Sequence, residues 1–126
     1  MARGSVVLGS LALLLLCVPE RAGAQGNNDA ILKRGKSLWA NRGCAGCHGI
    51  GKKLAGPDLA GVEQRRSRDW LTPWLTDTDG MLASDSTAQA LLAAWNNMRM
   101  PKQNLAAADV DALLAYISSE SGKLKK

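Results

Sequence analysis

The stretch Cys44-Ala45-Gly46-Cys47-His48 brings two thiols together with the only histidine of the chain. Its spacing, C-x-x-C-H, is typical of a c-type haem attachment site. Two residues between the cysteines let both sulfur atoms reach one edge of a porphyrin, where each S–H adds across a vinyl group and forms a thioether. The adjacent imidazole can then bind the iron as an axial ligand. We therefore predict haem attachment at Cys44 and Cys47, and iron ligation by His48.

Three other kinds of site use similar residues. A thioredoxin-like dithiol shares the C-x-x-C spacing but belongs to a βαβ context, and this sequence has no run of alternating Val, Ile and Thr that would form strands. A structural zinc site needs four ligands, which two cysteines and one histidine cannot supply. An ordinary disulfide between Cys44 and Cys47 would close a very short loop and stabilise the fold little. A non-haem disulfide redox protein stays open as an alternative function.

The second axial ligand must come from elsewhere, because one histidine can occupy only one face of the iron. The candidates are a methionine, a lysine, a terminal amine or no ligand. Met98 and Met100 lie in a predicted loop between two helices, whereas Met81 follows an Asp-Thr-Asp-Gly run and is interpreted as a turn residue or the entry to a helix. Pro101 stiffens the chain after Met100, so we predict Met100 as the ligand that closes the crevice. If Met100 does not bind iron, the alternative is a five-coordinate haem c sensor or peroxidase-like protein.

The first 24 residues have the features of a secretory signal peptide. Arg3 supplies a positive start, Val6–Val18 is apolar, and Ala22–Ala24 is a small-x-small cleavage signal. The apolar run is shorter than the roughly 20 residues that span a bilayer. We predict cleavage after Ala24, a periplasmic domain over residues 25–126, and no membrane span after cleavage. An uncleaved membrane anchor is the alternative, and lipidation of Cys17 is a third interpretation.

Helices must position these ligands, since several segments have helical apolar spacing and none alternates as a strand does. We therefore predict an all-α domain. The first helix has its cap among residues 27–29 and ends near Gly43. The last carries Val110, Leu113, Leu114 and Ile117 at i, i+3, i+4 and i+7. The Gly-rich stretch after His48 and the stretch around Met100 are predicted loops.

The middle of the chain allows more than one arrangement of helices. Either Thr72 caps a helix that begins at Pro73, or a helix that begins at Ser67 is kinked at the proline. A further helix is capped by Ser84 or Asp85. The sequence contains no Phe, and its apolar side chains are small, so we expect another group to fill part of the core.

Composition narrows the classes of partner. The chain has 16 Lys and Arg against 11 Asp and Glu, a formal net charge of +5, which is mildly basic. None of the four Trp is interleaved with a basic stripe, so binding to nucleic acid is a poor fit.

Four motifs occur in the order "RGCAGCHGI", "GPDL", "MP" and "LAAADVDALLAYI". Together they resemble the small monohaem cytochrome c family of bacterial electron-transfer proteins. The resemblance implies the small cytochrome c fold, in which the N- and C-terminal helices pack beside a covalently bound haem and a Met-bearing loop closes the crevice. It implies that Gly35 and Trp39 of the first helix contact the last helix near Leu113 and Tyr116.

The same resemblance assigns roles to two further residues. It implies that the carbonyl of Pro57 accepts the Nδ1–H of the proximal His48, and that Met100 is the distal ligand. It also implies a monomeric one-electron carrier without a catalytic residue, which shuttles electrons between respiratory or dehydrogenase partners (an oxidase, reductase or dehydrogenase) or acts as the haem subunit of such a complex. In this family the exposed haem edge lies where the C-x-x-C-H segment and the methionine-bearing loop meet. We expect five flanking cations to steer an acidic partner there: Arg42, Lys52, Lys53, Arg99 and Lys102.

Overall fold

The computed structural model describes Met1 and residues 22–125. Its helices are α1 (Ala22–Asn41), α2 (Cys44–Cys47), α3 (Val62–Arg65), α4 (Arg68–Thr76), α5 (Thr78–Ser84), α6 (Ser86–Ala94) and α7 (Ala107–Lys123). No strand occurs among these residues, as the all-α prediction requires. The apolar run of the predicted signal peptide and Cys17 lie outside the described residues. Within the described ranges, no helix combines the length and the apolar character needed to cross a membrane.

Helices α1 and α7 cross at close range, and Gly35 makes the approach possible. A side-chain carbon at Gly35 would collide with the carbonyl oxygen of Ala112 and would lie 2.6 Å from the Cβ atom of Tyr116. One turn further along α1, the rings of Trp39 and Tyr116 pack with their centroids 6.3 Å apart, within the usual range for aromatic pairs. The predicted contact between the first and last helices is confirmed.

The core forms where α7 meets α1, α4 and the loop before α7. Its largest buried members are Leu38, Leu71, Leu105, Val110, Leu113, Leu114 and Ile117. The stripe predicted on the last helix is therefore the face that turns inward. Ala106 occupies the cap position of α7 without a side-chain hydrogen bond. Asp109 in the first turn gives the positive end of that helix a favourable charge instead.

The first helix begins earlier than predicted. Residues 27–29 lie within α1, so the prediction of a cap there is wrong. All three are exposed, so their polar side chains remain hydrated and do not need to compete with the helix for backbone hydrogen bonds.

Helices α4, α5 and α6 follow one another with a single capping residue between neighbours. Asp77 accepts a hydrogen bond from the backbone N–H of Gly80 at 3.0 Å, and Asp85 accepts one from that of Ala88 at 2.8 Å. Each carboxylate satisfies a backbone donor that would otherwise have no partner at the start of a helix. The prediction of Asp85 as a cap is confirmed. Met81 lies inside α5, as the helix-entry interpretation of this residue requires, and not in a turn.

Pro73 lies inside α4, which settles the two alternatives in favour of a helix that begins after Ser67. The Ser67 hydroxyl accepts a hydrogen bond from the backbone N–H of Trp70 at 3.3 Å. Leu71 is buried on the inner face of this helix, so burial and capping together offset the hydrogen bond that the proline cannot donate.

Two loops bring the sequence motifs to the same region of the fold. The first runs from His48 to Gly61 and the second from Trp95 to Ala106. Asn96 and Asn97 turn the chain out of α6 with φ values of 55° and 57°, a left-handed conformation that Asn tolerates better than most residues. Both predicted loops are confirmed.

Candidate functional site

A cavity of about 360 Å³ opens beside the core. This volume lies in the range of sites that hold small molecules and cofactors. The α2 region contributes Cys44, Cys47 and His48 to its lining, and the second loop contributes Met98 and Met100. Residues that are 50 or more positions apart in the sequence therefore share one cavity, as the prediction that another group fills part of the core requires.

The two cysteines stand on the short helix α2, directly after α1. Gly43 makes the turn between these helices with φ 74°, a conformation that suits glycine. Cys44 is half-buried and Cys47 is exposed, and both are free thiols. Burial raises the pKa of the Cys44 thiol, so this group is protonated at neutral pH. An ordinary disulfide between the two cysteines is not present.

The ring of His48 is oriented by the first loop. Its Nδ1 atom lies 2.9 Å from the carbonyl oxygen of Pro57. A carbonyl oxygen can only accept a hydrogen bond, so Nδ1 carries a proton and Nε2 is the ring nitrogen left to bind a metal. A hydrogen bond of this kind fixes the tautomer and the orientation of a histidine that binds a metal. The imidazole is thus prepared to bind an iron atom through Nε2.

Close backbone packing lets Pro57 reach the histidine. A Cβ atom at Gly56 would lie 2.6 Å from His48 Cε1, so any residue larger than glycine would displace the ring. The backbone N–H of Gly56 donates to the carbonyl of Cys47 at 2.7 Å. Sequence reasoning did not single out Gly56, although it directly precedes the proline of the "GPDL" motif.

Asp58 and Arg65 hold the same loop from the other side. The Asp58 carboxylate accepts hydrogen bonds from the backbone N–H groups of Ala60 and Gly51, each at 2.8 Å, and these keep the pKa of the carboxyl below its usual range despite an opposing effect of burial. The Arg65 guanidinium donates to the carbonyls of Asp58 and Ala60. Neither role was predicted, because the sequence does not show which backbone carbonyls an arginine reaches.

The methionines differ in exposure. Met98 is 57% exposed, whereas Met100 is half-buried. Two cations fasten the loop that carries them. The Arg42 guanidinium donates to the carbonyl of Gln103 at 3.2 Å, and the Nζ atom of Lys53 lies 4.6 Å from the centroid of the Trp95 ring. Arg42 and Lys53, two of the five cations expected to face a partner, therefore make contacts within the molecule.

Two tryptophans of α4 form an aromatic wall of the cavity. Trp70 and Trp74 stack with centroids 5.3 Å apart, and both line the cavity. The indole N–H of Trp70 donates to Asp85 at 3.0 Å, which links α4 to the cap of α6. Hydrogen bonds from the backbone N–H of Ala88 and from Trp70 keep the pKa of the Asp85 carboxyl below its usual range.

Comparison with known proteins identifies this arrangement. The family model described as Cytochrome c matches residues 32–121. The chain belongs to the cytochrome c family. The predicted family and the small cytochrome c fold are thus confirmed, and haem-based electron transfer is the general activity of this family.

Solved structures agree with the assignment. The cytochrome c domain of a Pseudomonas putida protein is 35% identical, with a TM-score of 0.63, and the match covers 72% of this chain and 91% of that one. A cytochrome c from Rhodothermus marinus has a TM-score of 0.67 at 20% identity, over 89% of this chain and 90% of that one. At that identity the second likeness shows the fold alone. None of the curated proteins compared with the chain matches it significantly.

The residues of this cytochrome c around the cavity fit a haem. Two thiols line the cavity, and His48 offers an imidazole whose Nδ1 is engaged by Pro57, so that Nε2 is the nitrogen that would bind iron. The thioether of Met100 is the kind of axial ligand that cytochromes c use beside a histidine. The remaining wall is mostly apolar, with Trp74, Leu92 and Leu113 among its members, so a flat apolar macrocycle would be buried there away from water.

Proposed function

We propose that this protein is a periplasmic one-electron carrier with a single covalent haem c. In this proposal Cys44 and Cys47 form the two thioethers, and His48 and Met100 are the axial ligands. The carbonyl of Pro57 holds the imidazole of His48. A haem held by these residues would supply a one-electron couple at its iron. The carrier is a monomer, and it has no membrane span once the signal peptide is removed.

One observation gives this proposal its main support. His48 and Met100 line the same cavity although 52 positions separate them in the sequence. The hydrogen bond from His48 Nδ1 to Pro57 directs the other ring nitrogen away from the loop and leaves it available to a metal. The chain contains one histidine, and it belongs to the one C-x-x-C-H motif, which supports a single haem.

The protein environment favours electron transfer over catalysis. An iron with both axial positions filled has no free site for a substrate, so we assign no catalytic residue. A methionine ligand favours the reduced iron and raises the reduction potential. The fixed ring of His48 and the packed wall at Trp70 and Trp74 limit rearrangement when the charge changes. The partners we propose are redox proteins, either an oxidase, a reductase or a dehydrogenase.

Substitution of the two loop methionines tests the axial ligand. Met100→Leu should abolish the weak absorption band near the red end of the visible spectrum that oxidised Met–iron coordination produces, and it should lower the reduction potential. Met98→Leu is the matched control, since it makes the same change two residues away on a side chain that is 57% exposed, and it should keep the band.

Two outcomes would contradict the ligand assignment. Loss of the band only in Met98→Leu would transfer the role to Met98. A wild-type protein that lacks the band in its oxidised form would exclude methionine as the axial ligand, and a high-spin oxidised spectrum would then indicate a five-coordinate haem, and with it a sensor or a peroxidase-like protein.

A further inference from the structure

The carboxylate of Asp79 pairs with the two cations that flank the proposed distal ligand. Lys102 Nζ lies 2.7 Å from Asp79 Oδ2, and Arg99 Nη2 lies 3.6 Å from Asp79 Oδ1. Asp79 stands in the first turn of α5. This helix precedes the Met100 loop in the chain and is separated from it by α6. One side chain of α5 therefore contacts the loop immediately before and shortly after Met100.

The backbone of this part of the loop has few other restraints. In the described part of the chain, no hydrogen bond between backbone groups involves residues 99–104. The nearest backbone bonds are from Met98 N–H to the carbonyl of Trp95 at 3.0 Å and from Leu105 N–H to that of Leu75 at 3.3 Å. Between these two points the chain is held by side chains: Arg42 reaches the carbonyl of Gln103, and Asp79 holds the segment around Met100.

We infer that Asp79 is a positioning residue that keeps the Met100 loop closed, so that the methionine sulfur stays at the haem iron. The inference rests on the proposed ligation by Met100. It also means that Arg99 and Lys102 are bound within the molecule. Of the five expected docking cations, Lys52 is the one whose charged group makes no hydrogen bond, ion pair or cation–π contact with the described residues.

The size of the effect follows from the exposure of the pairs. The side chains of Arg99, Lys102 and Asp79 are 61%, 60% and 42% exposed, and exposed pairs of this kind contribute weakly. The ion pairs therefore shift the equilibrium between the closed and the open Met100 loop by only a small factor. That factor is still large enough to change the fraction of molecules in which the iron is accessible. Because the pairs are exposed, the effect should weaken as salt is added.

Binding of imidazole to the oxidised holoprotein measures this accessibility. Imidazole competes with Met100 for the iron, so its apparent affinity rises when the open loop is more populated. Asp79→Asn should bind imidazole roughly two- to fivefold more tightly than wild type at low salt, and the difference should shrink at high salt. Asp79→Glu keeps the negative charge and should restore much of the wild-type affinity.

Two further variants separate the ion pairs from other effects. Asp109→Asn makes the same chemical change in the Arg34–Asp109 pair, which joins α1 to α7 with a 2.8 Å contact, and it should leave the imidazole affinity unchanged. Lys102→Gln removes the other side of the closer pair without altering α5. It should also tighten imidazole binding, and the double variant with Asp79→Asn should show less than the product of the two single effects.

The outcomes distinguish this inference from the proposed function. If wild type shows the Met–iron band but Asp79→Asn binds imidazole no better than wild type, the inference is overturned and the ligand assignment stands. If Lys102→Gln and Arg99→Gln each have no effect while Asp79→Asn does, fraying of α5 explains the result and the inference is again overturned. If wild type lacks the band, the proposed ligation fails and the inference fails with it.

Discussion

Replacement of Gly35 by alanine should separate α1 from α7. The new methyl group would meet the backbone oxygen of Ala112, and it would lie 2.6 Å from Tyr116 Cβ, where ordinary contacts begin at 3.4 Å. Relief of the Tyr116 contact alone would need the helices to move apart by about 0.8 Å. The Ala112 oxygen is closer still and, as part of the backbone, cannot rotate away as a flexible side chain can, so about 0.8 Å is the smallest separation required. The contact between Trp39 and Tyr116 would loosen at the same time.

The magnitude combines two opposite effects. Overpacking typically costs 1–3 kcal/mol, and the backbone clash at Ala112 places Gly35→Ala at about the upper end of that range. Alanine in place of glycine returns about 1 kcal/mol of helix propensity. The net loss should be about 2 kcal/mol, which for a domain of this size lowers the melting temperature by roughly 8–16 °C.

Chemical denaturation of the holoprotein, followed by circular dichroism, measures this loss. Gly122→Ala is the matched control, because Gly122 lies in α7 and a Cβ atom there would have nothing within 4 Å. That variant should be as stable as wild type or slightly more stable. A Gly35→Ala protein with wild-type stability would refute the close approach of the two helices at this position.

Three other changes have defined outcomes. Cys44→Ala combined with Cys47→Ala should abolish covalent haem on a denaturing gel and leave an unstable chain, because the cavity of about 360 Å³ loses its occupant; a cooperative melt of the haem-free protein would contradict this. Asp85 has a lowered pKa in the folded state, so its stabilisation is complete above the unfolded value near 3.9 and is lost as the pH falls through the folded pKa. Melting temperatures measured from pH 7 to pH 3 should therefore fall less for Asp85→Asn than for wild type, and equal slopes would exclude this role. Lys52→Glu should slow electron transfer with an acidic partner at low ionic strength and lose this effect as salt is added; a flat salt dependence of the bimolecular rate would instead favour apolar docking.

Local chemistry in this protein could be predicted from the sequence because it depends on neighbours along the chain. The C-x-x-C-H spacing places two sulfur atoms and an imidazole within one turn, whatever the rest of the fold does. The stripe of Val110, Leu113 and Ile117 follows from the helical period alone, and the structure buries all three. Asp85 begins a helix because a carboxylate can reach a backbone N–H a few positions ahead.

Capping and breaking signals were less decisive, because tertiary packing competes with them. The polar residues at positions 27–29 resemble a helix start, but exposed polar side chains also fit the outer face of a longer helix such as α1. Pro73 costs α4 a backbone hydrogen bond. The helix continues because Leu71 is buried against α7, a contact that no local pattern reveals.

The sequence by itself determined which residues can attach a haem and bind its iron, since those properties belong to the side chains and their spacing. Only the tertiary structure decided how these residues are held. Gly56 admits the loop that brings Pro57 to His48, and Asp79 reaches across to the cations that flank Met100. These contacts join segments far apart in the chain, and their distances are set by how helices pack around a shared core.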